Sequence, residues 1–363
     1  MRFFLLSTLI LTNSLCISQS PKQNINSKNV FDNFKKEQVE FKIKTENATP
    51  IAFSNIQIID KRYDTLSMGY LRYDNPSKEY YKLTTKNYLS IDLQVFLNNI
   101  YSKRITPNDS SLIIVLRKFW FNRDYDFTSN VLSQELTSYY FSLGVDCYYF
   151  FNNKYIPLLR RDTILEIPQK RKDHEKGILI GENLNKVLNN LFELIATKQL
   201  SKSRKLSYQE LNEYYGKHFR TSILTDQQLR KGVYMSFDEF KNNSPSYINF
   251  DIRKTKLADD IYILDGNDAI ASRTAWGYCD GENLFIKLGT NLFPLYRQGN
   301  NYSLLGNDKL THKIGTYTPN YNDRASPGAN LGADALGKLL FNRDKFKLEL
   351  IPLKLDMETG ETY

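Results

Sequence analysis

Cysteine, histidine and tryptophan are scarce in this chain of 363 residues, which has three, three and two of them. So few cysteines exclude a small disulfide-stapled scaffold. Cys147 lies on the apolar side of an alternating run and Cys279 beside a turn, and the sequence leaves open whether they pair. His174, His218 and His312 are far apart, and none has a second His at i+4 beside a Glu, so no metal site is expected. Missing too are a Gly-x-Ser-x-Gly elbow, a Gly-rich loop followed by Lys-Ser or Lys-Thr, and a cysteine near a histidine partner. Asp259 and Asp260 are adjacent, so on a strand they point to opposite faces and cannot share one substrate bond. No catalytic residue and no cofactor is expected.

Charge of one sign is also lacking in any concentrated form. Lys and Arg number 49 against 40 Asp and Glu, but the excess is scattered. Lys170-Arg171-Lys172 is followed at once by Asp173 and Glu175, and Lys202 to Lys205 is short. These read as solvated linker faces, and no nucleic-acid partner is expected.

What is present begins with an address. Arg2 is a positive start, Phe3 to Leu15 an apolar stretch of export length, and Cys16 and Ser18 small residues placed for a cut before Gln19. Thr12, Asn13 and Ser14 interrupt the run before it reaches the roughly 20 apolar residues of a spanning helix. A lipoprotein signal is the alternative, but the positions before Cys16 hold Leu15 and Asn13 where such signals carry a small and an aliphatic residue. No later stretch is long and apolar enough to span a bilayer. The expected location is outside the cytoplasm: periplasm, outer-membrane-associated or secreted.

The chain carries 25 Tyr and 22 Phe. These residues suit half-buried pleated surfaces, so extensive β-structure explains them, and a sugar-stacking or adhesive surface is the sharper alternative. The expected class is α+β, with an N-terminal mixed-sheet α/β domain followed by an antiparallel β-meander domain. The division places a signal peptide at 1–18, a polar lead at 19–47 and a mixed-sheet domain with two amphipathic helices at 48–200. A helical linker follows at 201–230, then an antiparallel β-rich domain at 231–363 with a mobile loop at 313–344.

Periodicity sets the elements. Ile51 to Ile59 predicts a strand, and Ser90 an N-cap before the stripe Leu93, Phe96, Leu97, Ile100 and Tyr101. Leu112 to Leu116 is a strand covered on both faces. Phe141 to Tyr149 alternates, Asn152 and Asn153 turn, and Tyr155 to Ile167 returns. A second helix carries Leu184, Val187, Leu188, Leu191 and Ile195. Capping boxes at Ser207/Glu210 and Ser236/Glu239 start helices over Tyr208 to His218 and Phe237 to Lys241. A strand through Ile248, Phe250 and Ile252 comes next. Short strands follow at Ile261 to Leu264, Ala269 to Tyr278, Leu284 to Leu288, Leu292 to Arg297 and Tyr302 to Leu305, punctuated by Asp-Gly and Gly-Asn turns. Phe346 to Leu355 closes the sheet and METGETY forms a polar tail.

The candidate binding residues are Asp60, Arg62 and Asp64 after the first strand, with Trp120 and Trp276 as stacking surfaces. Two carboxylates flanking an arginine at a strand end could hold a polar ligand, or could pair internally and shape the turn. The tryptophans could equally be packing residues. GVYMSFDEFKNNSPS, WGYCDGENLFIKLGTNLFPL, the Asp60-x-Arg62-x-Asp64 element and the tail residues Asp356, Thr359 and Gly360 together resemble uncharacterised exported proteins of bacteroidete bacteria. That group has no established activity to transfer. The order of elements from Ile51 to Ile195 is similar to periplasmic auxiliary lipoproteins of lipid transporters. Two functional readings follow. One is a non-enzymatic envelope or secreted protein that binds a protein partner, lipid or surface glycan. The other is a secreted glycan-active hydrolase whose carboxylates come from distant loops.

Overall fold

The computed structural model describes residues 29–43, 53–72, 79–102, 110–125, 137–168, 176–197, 204–254, 259–306 and 350–363. The signal segment and the expected loop at 313–344 lie outside them. The fold is α+β, with one mixed sheet and later antiparallel sheets.

The mixed sheet contains β1 (Lys35–Gln38), β2 (Asn55–Asp60), β3 (Gly69–Arg72), β4 (Tyr80–Thr84), β5 (Ser111–Tyr125), β6 (Thr137–Phe151) and β7 (Lys154–Pro168). Its order is β1-β4-β3-β5-β6-β7, and β2 lies along β5 beside β3. β2 and β5 run parallel, which requires a crossover, and α1 (Leu89–Tyr101) supplies it. The β6–β7 hairpin turns on Asn152 and Asn153 at φ 48 and 57°, the left-handed pair that a two-residue turn demands. The expected strand from Ile51 starts only at Asn55, after Ser54 donates to the Ser110 carbonyl.

One face of this sheet is covered by α1 and α2 (Lys176–Ala196). Leu93, Phe96, Leu97, Leu184, Leu188 and Leu191 pack on Leu112, Ile114, Phe141, Leu143 and Val145. The helices meet through the Tyr101 hydroxyl, whose single proton lies between the amide oxygens of Asn185 and Asn189 at 2.9 and 2.8 Å. The expected Ser90 cap is corrected: the helix begins at Leu89 with Tyr88 at the N-cap. Asp92 instead reaches back to accept from the backbone N–H of Asn87 at 3.1 Å. The supposed polar lead is also part of the fold, since Phe31 is buried and β1 pairs with β4.

The other face meets α3 (Tyr208–His218), whose Leu211 and Tyr215 pack on Ile113, Val115, Tyr148 and Tyr155. Here the capping box is complete: Ser207 accepts from the Glu210 N–H, and Glu210 accepts from that of Ser207. In the later helix α5 (Phe237–Lys241), Ser236 accepts from Glu239, but the Glu239 carboxylate reaches past it to the Met235 N–H at 2.8 Å.

The C-terminal part adds α4 (Ser222–Thr225), β8 (Gly232–Tyr234), β9 (Phe250–Lys254), β10 (Asp259–Asp265), β11 (Asp268–Ser272) and β12 (Gly277–Cys279). β13 (Leu284–Leu288), β14 (Asn291–Gln298), β15 (Asn301–Gly306) and β16 (Ile351–Lys354) complete it. Two antiparallel sheets result, ordered β11-β10-β9 and β16-β15-β14-β13-β12-β8. The expected strand Ala269 to Tyr278 is therefore two strands in different sheets. The chain changes sheet at residues 273–276, where Trp276 packs its ring 4.4 Å from that of Phe240. Gly277 is required just beyond, because a Cβ there would stand 2.2 Å from the Phe285 carbonyl oxygen. Cys147 and Cys279 are both free and buried in separate clusters.

The tail is the largest departure from the sequence reading. METGETY folds back on β16: Tyr363 and Lys354 exchange backbone hydrogen bonds at 2.8 and 3.0 Å, and Met357 is buried. Gly360 permits the turn at φ 81°. Glu358 is polar by composition, yet it points at Arg117 and Arg160 on the mixed sheet.

Candidate functional site

Between the mixed sheet and this folded-back tail lies a small cleft, lined by Arg62, Tyr63, Asp64, Arg117, Lys118, Lys354, Asp356, Glu358 and Tyr363 among others. Its central cation exists because β5 carries a bulge. Leu116 pairs with Val145 and Lys118 with Gly144, so Arg117 is the extra residue and its side chain is re-aimed off the ladder. The Arg117 side chain is 3% exposed and contacts three carboxylates. Nε donates to Asp146 at 2.8 Å, Nη1 to Glu358 at 2.7 Å and Nη2 to Asp162 at 2.9 Å. Burial opposes the charged guanidinium, but Asp162, Asp146 and Glu358 outweigh it and raise its pKa. Gly144 leaves room for this: a Cβ there would stand 2.6 Å from Asp162 Oδ1.

The cluster extends outward from Arg117. Arg160 Nη2 donates to Glu358 at 2.6 Å, and Lys118 pairs with Asp356 while its ammonium lies 4.5 Å from the Tyr363 ring centre. Asp146 also accepts from the Tyr215 hydroxyl at 2.5 Å, and Tyr215 contacts the Tyr148 hydroxyl at 2.9 Å. Burial, then these two partners, raises the Tyr215 pKa, so the phenol stays neutral. His218, at the end of α3, places Nδ1 3.6 Å from Glu358 and stacks on Tyr63 at 6.4 Å between ring centres.

A second pair lies deeper. Lys354 Nζ donates to Asp64 Oδ2 at 2.7 Å, with side-chain exposures of 4% and 2%. Burial lowers the Lys354 pKa to about 8 against the pull of Asp64. Asp64 is pushed up by burial but held low by Lys354, the Leu66 N–H and the Ser67 hydroxyl, and the net shift is downward. The ammonium also sits 4.6 Å over the Trp120 ring, a cation–π contact.

Arg62 and Asp64 thus line the cleft and Asp60 is bound to Arg62, all as internal partners. Arg62 donates Nε and Nη2 to Asp60 at 3.0 and 2.9 Å and Nη1 to the Ser67 carbonyl at 3.0 Å. Trp120 is 1% exposed and packs edge-on against Tyr70 and Tyr363. Trp276 lies elsewhere, against Phe237 and Phe240. Sequence reasoning missed Arg117, Lys118, Asp146, Lys354 and Glu358. Their signal was a charge inside an apolar run, as in Leu353-Lys354-Leu355 or Val145-Asp146-Cys147, since such residues are seldom buried unless paired.

Chemically the cleft is a set of closed ion pairs. Asp64, Asp356 and Glu358 each have a cation within hydrogen-bond reach. A general acid or base needs a carboxyl free to take up or release a proton toward a substrate. Among the described residues there is no group of three or more His, Cys, Asp or Glu able to hold a metal ion.

No protein-family model and no curated protein matches the chain. Among solved structures, a Xanthomonas campestris protein described as DUF330 aligns at 9% identity, over 44% of this chain and 96% of its own, with a TM-score of 0.27. An uncharacterized protein aligns at 11% identity, over 45% of this chain and 98% of its own, with a TM-score of 0.26. These are distant neighbours in structure, and their likeness carries nothing about chemistry.

Proposed function

We propose that this chain is an exported, non-enzymatic envelope protein that binds another envelope protein. The observation that carries the reading is the closed charge pairing of the cleft. Its carboxylates are committed to Arg117, Lys118, Arg160 and Lys354, so they join two parts of the fold and present no acid and base to a substrate. Two further observations favour a protein over a glycan or lipid. Many of the tyrosines are spent inside the molecule, as with Tyr70, Tyr101, Tyr215, Tyr234 and Tyr302, all buried, and do not form a stacking platform. The cleft wall is mostly charged, which does not suit an acyl chain. The export signal and the likeness in element order to periplasmic auxiliary lipoproteins of lipid transporters supply the envelope context.

The test is fractionation of native cells after brief in-cell cross-linking, with mass spectrometry of the mature N-terminus and of the adducts. A chain beginning at Gln19 and joined to one envelope protein is the expected result. An intact Met1 in the cytosol overturns it. Turnover of a glycan by the purified chain, abolished by Glu358→Gln, would establish the hydrolase reading instead.

A further inference from the structure

The edges of the sheets are treated unequally. On β16 the outer edge is closed by the tail, through the Lys354–Tyr363 exchange and the Asp356 N–H to the Glu361 carbonyl at 2.7 Å. On β8 it is closed by residues 246–247, which exchange hydrogen bonds with Val233 at 2.7 and 3.0 Å. β1 carries two lysines, β7 holds Pro157 and charges already bound in the cleft, and β9 ends in Arg253 and Lys254. Charge and proline of this kind resist pairing with another chain. β11 reads Asp-Ala-Ile-Ala-Ser and has neither between Asp268 and Ser272.

The outward groups of β11 follow from its neighbours. It runs antiparallel to β10, with Leu264 opposite Ala269 and Tyr262 opposite Ala271. The Leu264 N–H donates to the Asn249 carbonyl at 3.0 Å, on the β9 side of the sheet. By the alternation of an antiparallel ladder, Leu264 and Tyr262 bond toward β9, while Ile263 bonds toward Ile270. Ala269 and Ala271 therefore turn their N–H and C=O groups away from β10. Both are exposed, and among the described residues no strand pairs with that side of β11. On one face the side chains form rows across the strands. Ile252 and Ile261 make one row, packed on Tyr278, Phe285 and Leu292. The next row, Phe250, Ile263 and Ile270, runs out to the open edge, where Ile270 is 58% exposed.

This edge is self-complementary in one register. A second copy adding antiparallel about a two-fold axis normal to the sheet must set outward residues against outward residues. Centred on Ala269, Asp268 faces Ile270. Centred on Ala271, Ala269 faces Arg273. Centred on Ile270, Ala269 faces Ala271 twice and Ile270 meets its own copy, so the exposed row becomes six apolar residues long on one face. Apolar cross-strand pairs of this kind support a ladder. The same register sets Arg273 of each copy opposite Asn267 of the other, beside the turn that carries Asp265 and Asp268. All three charges are exposed and have no ion-pair partner among the described residues. We propose that two copies of this protein pair through β11, antiparallel and centred on Ile270, and so join two three-stranded sheets into one of six strands. This surface is separate from the ionic cleft and from the partner proposed above. Five paired residues a side bury less than the roughly 1,200 Å² of a stable interface, so the dimer is concentration-dependent.

The test is sedimentation of the full chain across a concentration series, beside three variants. Ile270 would face its own copy at a non-hydrogen-bonded site with Cα atoms about 4.5 Å apart, within disulfide reach. Ile270→Cys should therefore give a covalent dimer on a non-reducing gel under mild oxidation, well above the unsubstituted chain, whose Cys147 and Cys279 are buried. Ala271→Pro removes only an outward N–H. It should abolish the dimer while leaving the circular dichroism and melting temperature of the parent. Arg273→Glu should weaken the dimer by at least about three-fold by setting like charges beside Asp265 and Asp268. A chain that stays monomeric up to about 1 mM, or a dimer indifferent to Ala271→Pro and Arg273→Glu, overturns the proposal.

Discussion

The mixed sheet and the C-terminal sheets solve the same problem of burying aromatic and aliphatic residues with different strands. β5, β6 and β7 are 15 residues each, and two bulges bend them. β8 and β12 to β16 run from three to eight residues, punctuated by left-handed glycines such as Gly289 and Gly299. Long strands need layers on both faces. α1 and α2 cover one, while α3 and the tail cover the other. The short-stranded sheet instead closes its own core around Phe240, Tyr302 and Leu304. Two things join the regions: Arg117 and Lys118 on β5 reach Glu358 and Asp356 on the tail and Asp64 reaches Lys354 on β16, while Phe31, Tyr70 and Trp120 pack against Tyr296, Leu305 and Tyr363. The contrast assigns stability within each region to apolar packing, and coupling between them to buried ion pairs set beside one aromatic cluster.

That division can be broken first at Arg117. Arg117→Met leaves buried Asp146 with Arg160 at 3.8 Å as its only cation and Glu358 with one arginine of two, and should cost about 3–5 kcal/mol. It should also split one urea transition into two, followed by near-UV circular dichroism for packing and by Trp276 fluorescence in a Trp120→Phe background. Phe240→Ala, which opens a hole in the C-terminal core, should cost about 3–5 kcal/mol and fall on the later region alone, as hydrogen exchange resolved by peptide would show. Ser207→Ala removes the cap of α3 and should cost about 1 kcal/mol, measured by chemical denaturation.

The smallest effect is a slope. Lys354 has a folded pKa near 8, below the ordinary 10.5 that it regains on unfolding. Between those values the unfolded chain binds more protons, so this group makes stability rise with pH. Denaturation midpoints of the parent should climb relative to the Lys354→Met/Asp64→Asn double variant between pH 8 and 10. A relative fall would contradict the assignment.

The elements were largely legible because their periodicity is local. Helix α3 with its box at Ser207 and Glu210, α5, and β13 are all where spacing places them. Boundaries slipped where a neighbour decided the matter: Asp92 reaching back to Asn87 starts α1 before Ser90, and the change of sheet at Trp276 divides the run from Ala269. The site was barely legible. Asp60, Arg62 and Asp64 stood out as a charged cluster at a strand end, but Arg62 is answered locally and Asp64 by a lysine 290 positions away. Glu358 looked like a tail residue because nothing nearby in the sequence pairs with it, and its partner Arg117 lies 241 positions away. Long-range charge pairs leave no period to read. Their trace is the solitary charge in an apolar run.

The most direct measurement is a double-mutant cycle on Lys354 and Asp64, read by equilibrium unfolding of the parent, Lys354→Met, Asp64→Asn and the double variant at pH 7. Each single change leaves one partner buried and uncompensated, so each should cost about 3–5 kcal/mol, while the double variant recovers much of that loss. Strict additivity, with the double variant as unstable as the two losses combined, would contradict the claim that closed ion pairs couple the two regions.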